Sequence, residues 1–67
     1  MEWYQKAAAA GYALAESAMG RFYENGLGIA KDYDQALQWY QKAAAQGQAN
    51  AAAGIVRLKA AQAAQHQ

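Results

Sequence analysis

Trp3-Tyr4-Gln5-Lys6-Ala7-Ala8-Ala9 recurs without a change as Trp39-Tyr40-Gln41-Lys42-Ala43-Ala44-Ala45, 36 residues further along the chain. Seven identical residues in register are more than an alanine-rich composition produces by itself. The same offset pairs Gly11 with Gly47, Ala13 with Ala49, Ala15 with Ala51 and Arg21 with Arg57, and it matches Met19 to Ile55 and Phe22 to Leu58 in apolar character. A period of this size belongs to solenoids of helix pairs, in which a repeat hides its apolar face by stacking on its neighbours.

Working outward from the two copies, the punctuation delimits four helices. From Ala13 to Asn25 the residues Ala15, Ala18, Met19, Phe22 and Tyr23 fall at three- and four-residue spacing, the mark of one buried helical face. Asn25-Gly26 stops this helix, because glycine takes the left-handed conformation without a Cβ clash. Leu27 and Ile29 in the connection are expected to tuck under the helix pair. Asp32 is the expected N-cap of the next helix, with Gln35 placed to complete a capping box and Asp34 favourable to the helix dipole. That helix carries Tyr33, Ala36, Leu37, Tyr40 and Ala44 on one face and ends at Gly47. The expectation is helices over about 2–10, 13–25, 32–46 and 49–63, with Ala60 to Gln67 forming a fraying end. Gly20 lies inside a helix at a cost of about 1 kcal/mol relative to alanine, which points to close approach of a neighbouring helix there.

Composition bounds the core and the function classes. The chain has 67 residues, 55% of them hydrophobic, but alanine supplies most of that fraction and buries little area per residue. The core therefore rests on Trp3, Tyr4, Tyr12, Leu14, Met19, Phe22, Tyr23, Leu27, Ile29, Tyr33, Leu37, Trp39, Tyr40, Ile55, Val56 and Leu58. There is no cysteine, so no disulfide and no thiolate metal site is available. A formal net charge of +1 gives no reason to expect nucleic acid. The longest apolar run, Ala7 to Ala10, is far short of the roughly 20 residues of a membrane-spanning helix. No secretory signal is present in these residues, and a soluble, cytoplasmic or periplasmic protein is expected.

The stretch Ala18-Met19-Gly20-Arg21-Phe22-Tyr23-Glu24-Asn25-Gly26-Leu27-Gly28-Ile29-Ala30-Lys31-Asp32-Tyr33, followed by Ala36, Trp39-Tyr40, Lys42-Ala43-Ala44 and Gly47, resembles a Sel1-like repeat, a relative of the tetratricopeptide repeat. The resemblance covers nearly the whole chain to about Leu58. It implies an all-α, tetratricopeptide-like α/α superhelix of antiparallel helix pairs serving as an interaction scaffold, an arrangement common in bacterial proteins. The chain then divides into a half repeat (1–11), a complete repeat (12–47) and a degenerate C-terminal cap (48–67). In the cap Val56 stands where glycine is expected and Lys59 where tyrosine is expected, and no second Gly-X-Gly loop follows.

Each candidate for chemistry has a plainer explanation. Gly26-Leu27-Gly28 has neither the preceding strand nor the following Gly-Lys-Ser/Thr of a phosphate loop. His66 is the only histidine and stands without partner ligands. Asp32 and Asp34 are accounted for by capping, and Glu2, Glu16 and Glu24 by solvated faces. Ser17 lacks a histidine to activate it. No enzyme activity, cofactor or metal is expected. The repeated Trp3, Tyr4, Trp39 and Tyr40 read as packing between layers. The resemblance to tetratricopeptide first helices assigns the concave surface to Leu14, Ser17, Arg21 and Glu24, with Asn50, Ala53 and Arg57 beside them, and stands Arg21 and Arg57 in a column able to clamp a carboxylate. The expected partner is a protein or peptide.

An alternative has the chain as a structural segment of a longer repeat protein or a self-associating oligomer. The 36-residue offset puts Met1 where Leu37 stands, so the chain is expected to open partway through a helix, leaving an apolar N-terminal face for a second copy.

Overall fold

The computed structural model describes residues 2–65, so His66 lies outside it, as does Met1. Four helices follow one another: α1 (Glu2–Ala9), α2 (Ala13–Asn25), α3 (Tyr33–Ala45) and α4 (Ala49–Gln65). Each packs on the one before it, and α2 also reaches α4, giving a slab of 37 × 26 × 13 Å. This is the helix-pair stacking that the 36-residue period predicts.

The helix ends repeat as faithfully as the sequence does. Tyr12 donates its backbone N–H to Ala7 O at 3.1 Å and Gln48 donates to Ala43 O at 3.2 Å, closing α1 and α3 around Gly11 (φ 93°) and Gly47 (φ 86°). A side chain at either glycine would meet the left-handed penalty of about 1–2 kcal/mol. Asp32 caps α3, its Oδ1 accepting from the N–H groups of Asp34 (3.0 Å) and Gln35 (3.2 Å). The capping box is not completed, however. The Asp32 N–H is already given to Tyr23 O at 2.9 Å, so the Gln35 side chain has no donor to answer, and the bond pins the α2–α3 connection to the end of α2.

Burial singles out the second copy of the repeated block. Ala36, Tyr40, Ala43, Ala51 and Leu58 form one core cluster, and Ala7, Ala8, Ala15 and Met19 form another. Tyr40 is the largest fully buried side chain, and burying a ring of this size contributes about 3 kcal/mol. Its seat is made by two glycines. A Cβ built on Gly20 would lie 2.7 Å from Tyr40 Cδ1, and one built on Gly54 would lie 2.8 Å from Tyr40 Cε2. The close approach expected at Gly20 is thus made by an aromatic ring, held between α2 and α4.

The core is smaller than the sequence implied. Trp3, Tyr4, Tyr12, Leu14, Leu27 and Val56 are exposed, and of the two loop residues only Ile29 is half-buried. The helix α4 extends to Gln65, past the expected end near 63, and the stretch from Ala60 that was expected to fray is helical as far as Gln65. Alanine and glutamine are good helix formers, and no glycine or proline interrupts them.

Candidate interaction groove

Residues 14, 17, 21 and 24 recur at the three- and four-residue spacing of one helical face on α2, and 50, 53 and 57 do so on α4. Stacking these helices sets the two rows side by side. Leu14, Ser17, Arg21, Glu24, Asn50, Ala53 and Arg57 all line one open groove of about 700 Å³. Trp3 and Tyr4 of α1 form its apolar end and Tyr40 of α3 contributes to its floor. The sequence reading missed those three as groove residues, because identical repetition argued for packing at all four aromatics.

A polar node ties three helices together under this groove. Arg57 donates through Nε to Glu24 Oε2 at 2.7 Å and through a terminal nitrogen to Glu24 Oε1 at 2.8 Å, and the Tyr40 hydroxyl donates to the same Oε1 at 2.8 Å. The hydrogen bond from Arg57 holds the Glu24 carboxyl below its ordinary range, against the opposing effect of burial and with help from Tyr40. Burial, and then the bond to Glu24, push the Tyr40 hydroxyl up to about 12. The bond to Glu24 also raises the Arg57 pKa, so this guanidinium stays charged.

This geometry corrects two expectations. Arg21 and Arg57 do share the groove, but not as a matched pair of free cations: Arg57 is bound bidentately within the chain, whereas Arg21 is exposed and takes part in no ion pair among the described residues. The glutamates are likewise not all on solvated faces. Glu24 has a side chain only 12% exposed. Glu16 is buried and accepts from Gln46 Nε2 at 2.8 Å, while the same nitrogen donates to Gly11 O at 2.9 Å, fastening the end of α3 to the α1–α2 turn. Ser17 is buried too, at the groove wall. Among the described residues no group of acidic or histidine side chains is arranged to hold a metal, and no helix is long and apolar enough to cross a membrane.

The family model of the Sel1 repeat matches residues 1–12 and 13–48. The chain belongs to the Sel1 repeat family. Sel1 repeats are non-catalytic, tetratricopeptide-like helical scaffolds that generally mediate protein–protein interaction. No curated protein and no solved structure matches the chain. The matched residues stop short of α4, yet Asn50, Ala53 and Arg57, one wall of the groove, come from it. Helix α4 stands to α3 as the first helix of a Sel1 repeat would, with Ala51 and Leu58 buried where Ala15 is buried and Phe22 is half-buried one repeat earlier.

Proposed function

We propose that this chain is a small helical-repeat binding module, an adaptor or scaffold that holds a protein or peptide segment in the groove between α2 and α4. In this reading residues 1–11 and 12–47 supply a half and a complete repeat, and residues 48–67 close them as a cap. The observation that supports it is the contrast within the groove: an exposed Arg21, with no ion-pair partner among the described residues, shares the groove with the apolar surface of Trp3, Tyr4 and Leu14 and with the internally paired Glu24 and Arg57. A segment presenting an acidic group next to an apolar side chain meets both features, the carboxylate on Arg21 and the apolar group on the aromatics. Arg57 then acts chiefly by holding the Glu24 carboxylate in a bidentate pair, which leaves Arg21 without an ion-pair partner among the described residues.

The test is titration with acidic–apolar peptides and their basic counterparts, followed by tryptophan fluorescence. Arg21→Ala is expected to weaken binding of the acidic peptides about tenfold, in line with the loss of one charge-assisted contact. The Arg21→Ala/Arg57→Ala pair is expected to bind more weakly still and to lower the melting midpoint, since it strands the Glu24 carboxylate, so it is compared at a temperature where its helicity is retained. Equal affinity for acidic and basic peptides, or no effect of Arg21→Ala, removes the reading.

A second reading, self-association through the N-terminal helix, is supported by the exposure of Trp3 at 70% and Tyr4 at 37%. Solution mass across a concentration series separates it: a monomer leaves the groove as the working surface, and an assembly dissolved by Trp3→Ala places the partner on α1.

A further inference from the structure

The seat of Tyr40 defines what a stacking junction in this chain requires. The ring lies against Gly20 on one side and Gly54 on the other, and a β-carbon at either position would come within 2.8 Å of ring atoms. Continuing the pattern beyond α4 by the 36-residue offset puts Val56 in the place of Gly20. Val56 is 70% exposed, so its branched side chain already occupies the surface where the next ring would lie. Lys59 falls in the place of Tyr23, which packs against the Tyr40 cluster, so the same face also offers an exposed ammonium group instead of an apolar ring.

We propose that Val56, seconded by Lys59, closes the outer face of α4 to stacking in the repeat register, so that the α1 of a second copy cannot dock there head to tail. The repeat supplies a one-sided comparison, since α1 packs on α2 alone. On α1, Tyr4 is the counterpart of Tyr40, and Ala18 is the counterpart of Gly54. One methyl group at that position accompanies a ring left 37% exposed and turned to an edge contact with Phe22, with centroids 5.2 Å apart, whereas Tyr40 is 1% exposed. A head-to-tail junction would flank Tyr4 with Ala18 of its own chain and Val56 of the neighbour, with glycine on neither side. A heterologous contact of this kind does not close on itself, and each copy added would offer another end. A β-carbon at position 56 breaks that series at its first step. The inference concerns the outer face of α4; it rests on the reading of residues 48–67 as a cap and does not depend on what the groove binds.

The experiment is sedimentation of the full chain with helicity recorded on the same samples. Val56→Gly/Lys59→Tyr restores the repeat pattern on α4 and is expected to associate at least tenfold more tightly than the native chain, with mass rising with concentration. Adding Tyr4→Ala is expected to cancel that gain. If the glycine variant loses helicity, Val56→Ala/Lys59→Tyr is read in its place: it keeps the β-carbon and is expected to hold the mass of the native chain, and a rise in its mass overturns the proposal. A helical restored variant whose mass equals that of the native chain overturns the proposal. So does a native assembly that Val56→Lys dissolves, since Val56 would then lie inside a contact and not bar one.

Discussion

The two copies of Trp-Tyr-Gln-Lys-Ala-Ala-Ala are the same peptide in two different environments. In residues 39–45 the tyrosine is 1% exposed and reaches the Glu24–Arg57 pair with its hydroxyl. In residues 3–9 the tyrosine is 37% exposed and the tryptophan 70%. Local sequence cannot account for the difference, because there is none. What differs is the surface opposite: Tyr40 lies between α2 and α4, whose Gly20 and Gly54 admit its ring, while Tyr4 is covered by α2 alone, has Ala18 at the place that corresponds to Gly54 and rests on the edge of Phe22. A repeat specifies which residues are available for burial, and the neighbouring layers decide which are buried.

Truncating the two tyrosines gives the largest separation. Tyr40→Ala is expected to cost about 3–5 kcal/mol, the range for deleting a buried aromatic ring. For a domain of this size, with a total margin of roughly 3–10 kcal/mol, that is enough to unfold much of the population at ordinary temperature. Tyr4→Ala is expected to cost about 1 kcal/mol or less. Urea unfolding followed by helicity checks both, and equal costs would mean that the glycine seat has no special role.

That comparison also marks where the sequence was legible. Period, punctuation and caps gave the four helices to within about two residues, because glycine, aspartate and alanine act through local backbone chemistry. The groove was legible as a surface, since helical spacing alone puts Arg21 beside Glu24 and Arg57 in the next layer. Its electrostatics were not. The Glu24–Arg57 bond spans 33 residues and Glu16–Gln46 spans 30, and neither pair is distinguishable by spacing from a charge in water. The exposure of Trp3 and the role of Gly54 were hidden for the same reason: both depend on which side chains face each other across layers.

The seat itself can be broken from the glycine side. Gly20→Ala and Gly54→Ala each place a methyl group within 2.8 Å of the Tyr40 ring, an overpacking expected to cost about 1–3 kcal/mol, offset by about 1 kcal/mol of helix propensity. Ala18→Gly is the mirror experiment at α1. It loses helix propensity but opens the α2 side of the Tyr4 seat, and its melting midpoint should fall less than that of Ala60→Gly at an exposed position of α4.

A smaller effect isolates the hydroxyl. Tyr40→Phe keeps the ring and removes its bond to Glu24, costing about 1 kcal/mol near neutral pH. The native chain should also show two pH limbs that this variant and Glu24→Gln resolve. Glu24 has its folded pKa depressed, so its contribution is present above the ordinary carboxylate value of 4.5 and is lost as pH falls through the lower folded value. Tyr40 has its folded pKa raised from 10.0 to about 12, so its contribution is complete below pH 10 and is lost as pH rises towards 12. Glu24→Gln should flatten the acid limb and Tyr40→Phe the alkaline one, both read as melting midpoint against pH.

The smallest change in stability is expected at the most conspicuous side chain. Trp3→Ala removes a large ring, but one that is 70% exposed, and surface substitutions of this kind usually stay within about 0.5 kcal/mol. Its edge contact with Tyr4, at 5.0 Å between centroids, joins two exposed rings and adds little. Trp39→Ala, the identical change one repeat later, should cost clearly more, because Trp39 is half-buried against the Met19 cluster and carries Lys42 over its face at 4.6 Å. If Trp3→Ala leaves the melting midpoint of the chain unchanged and lowers its affinity for an acidic–apolar peptide, the first copy of the block serves the groove and the second serves the fold. A matched loss of stability from both tryptophans would instead mean that Trp3 is covered in solution, and its concentration dependence would show whether a second copy covers it.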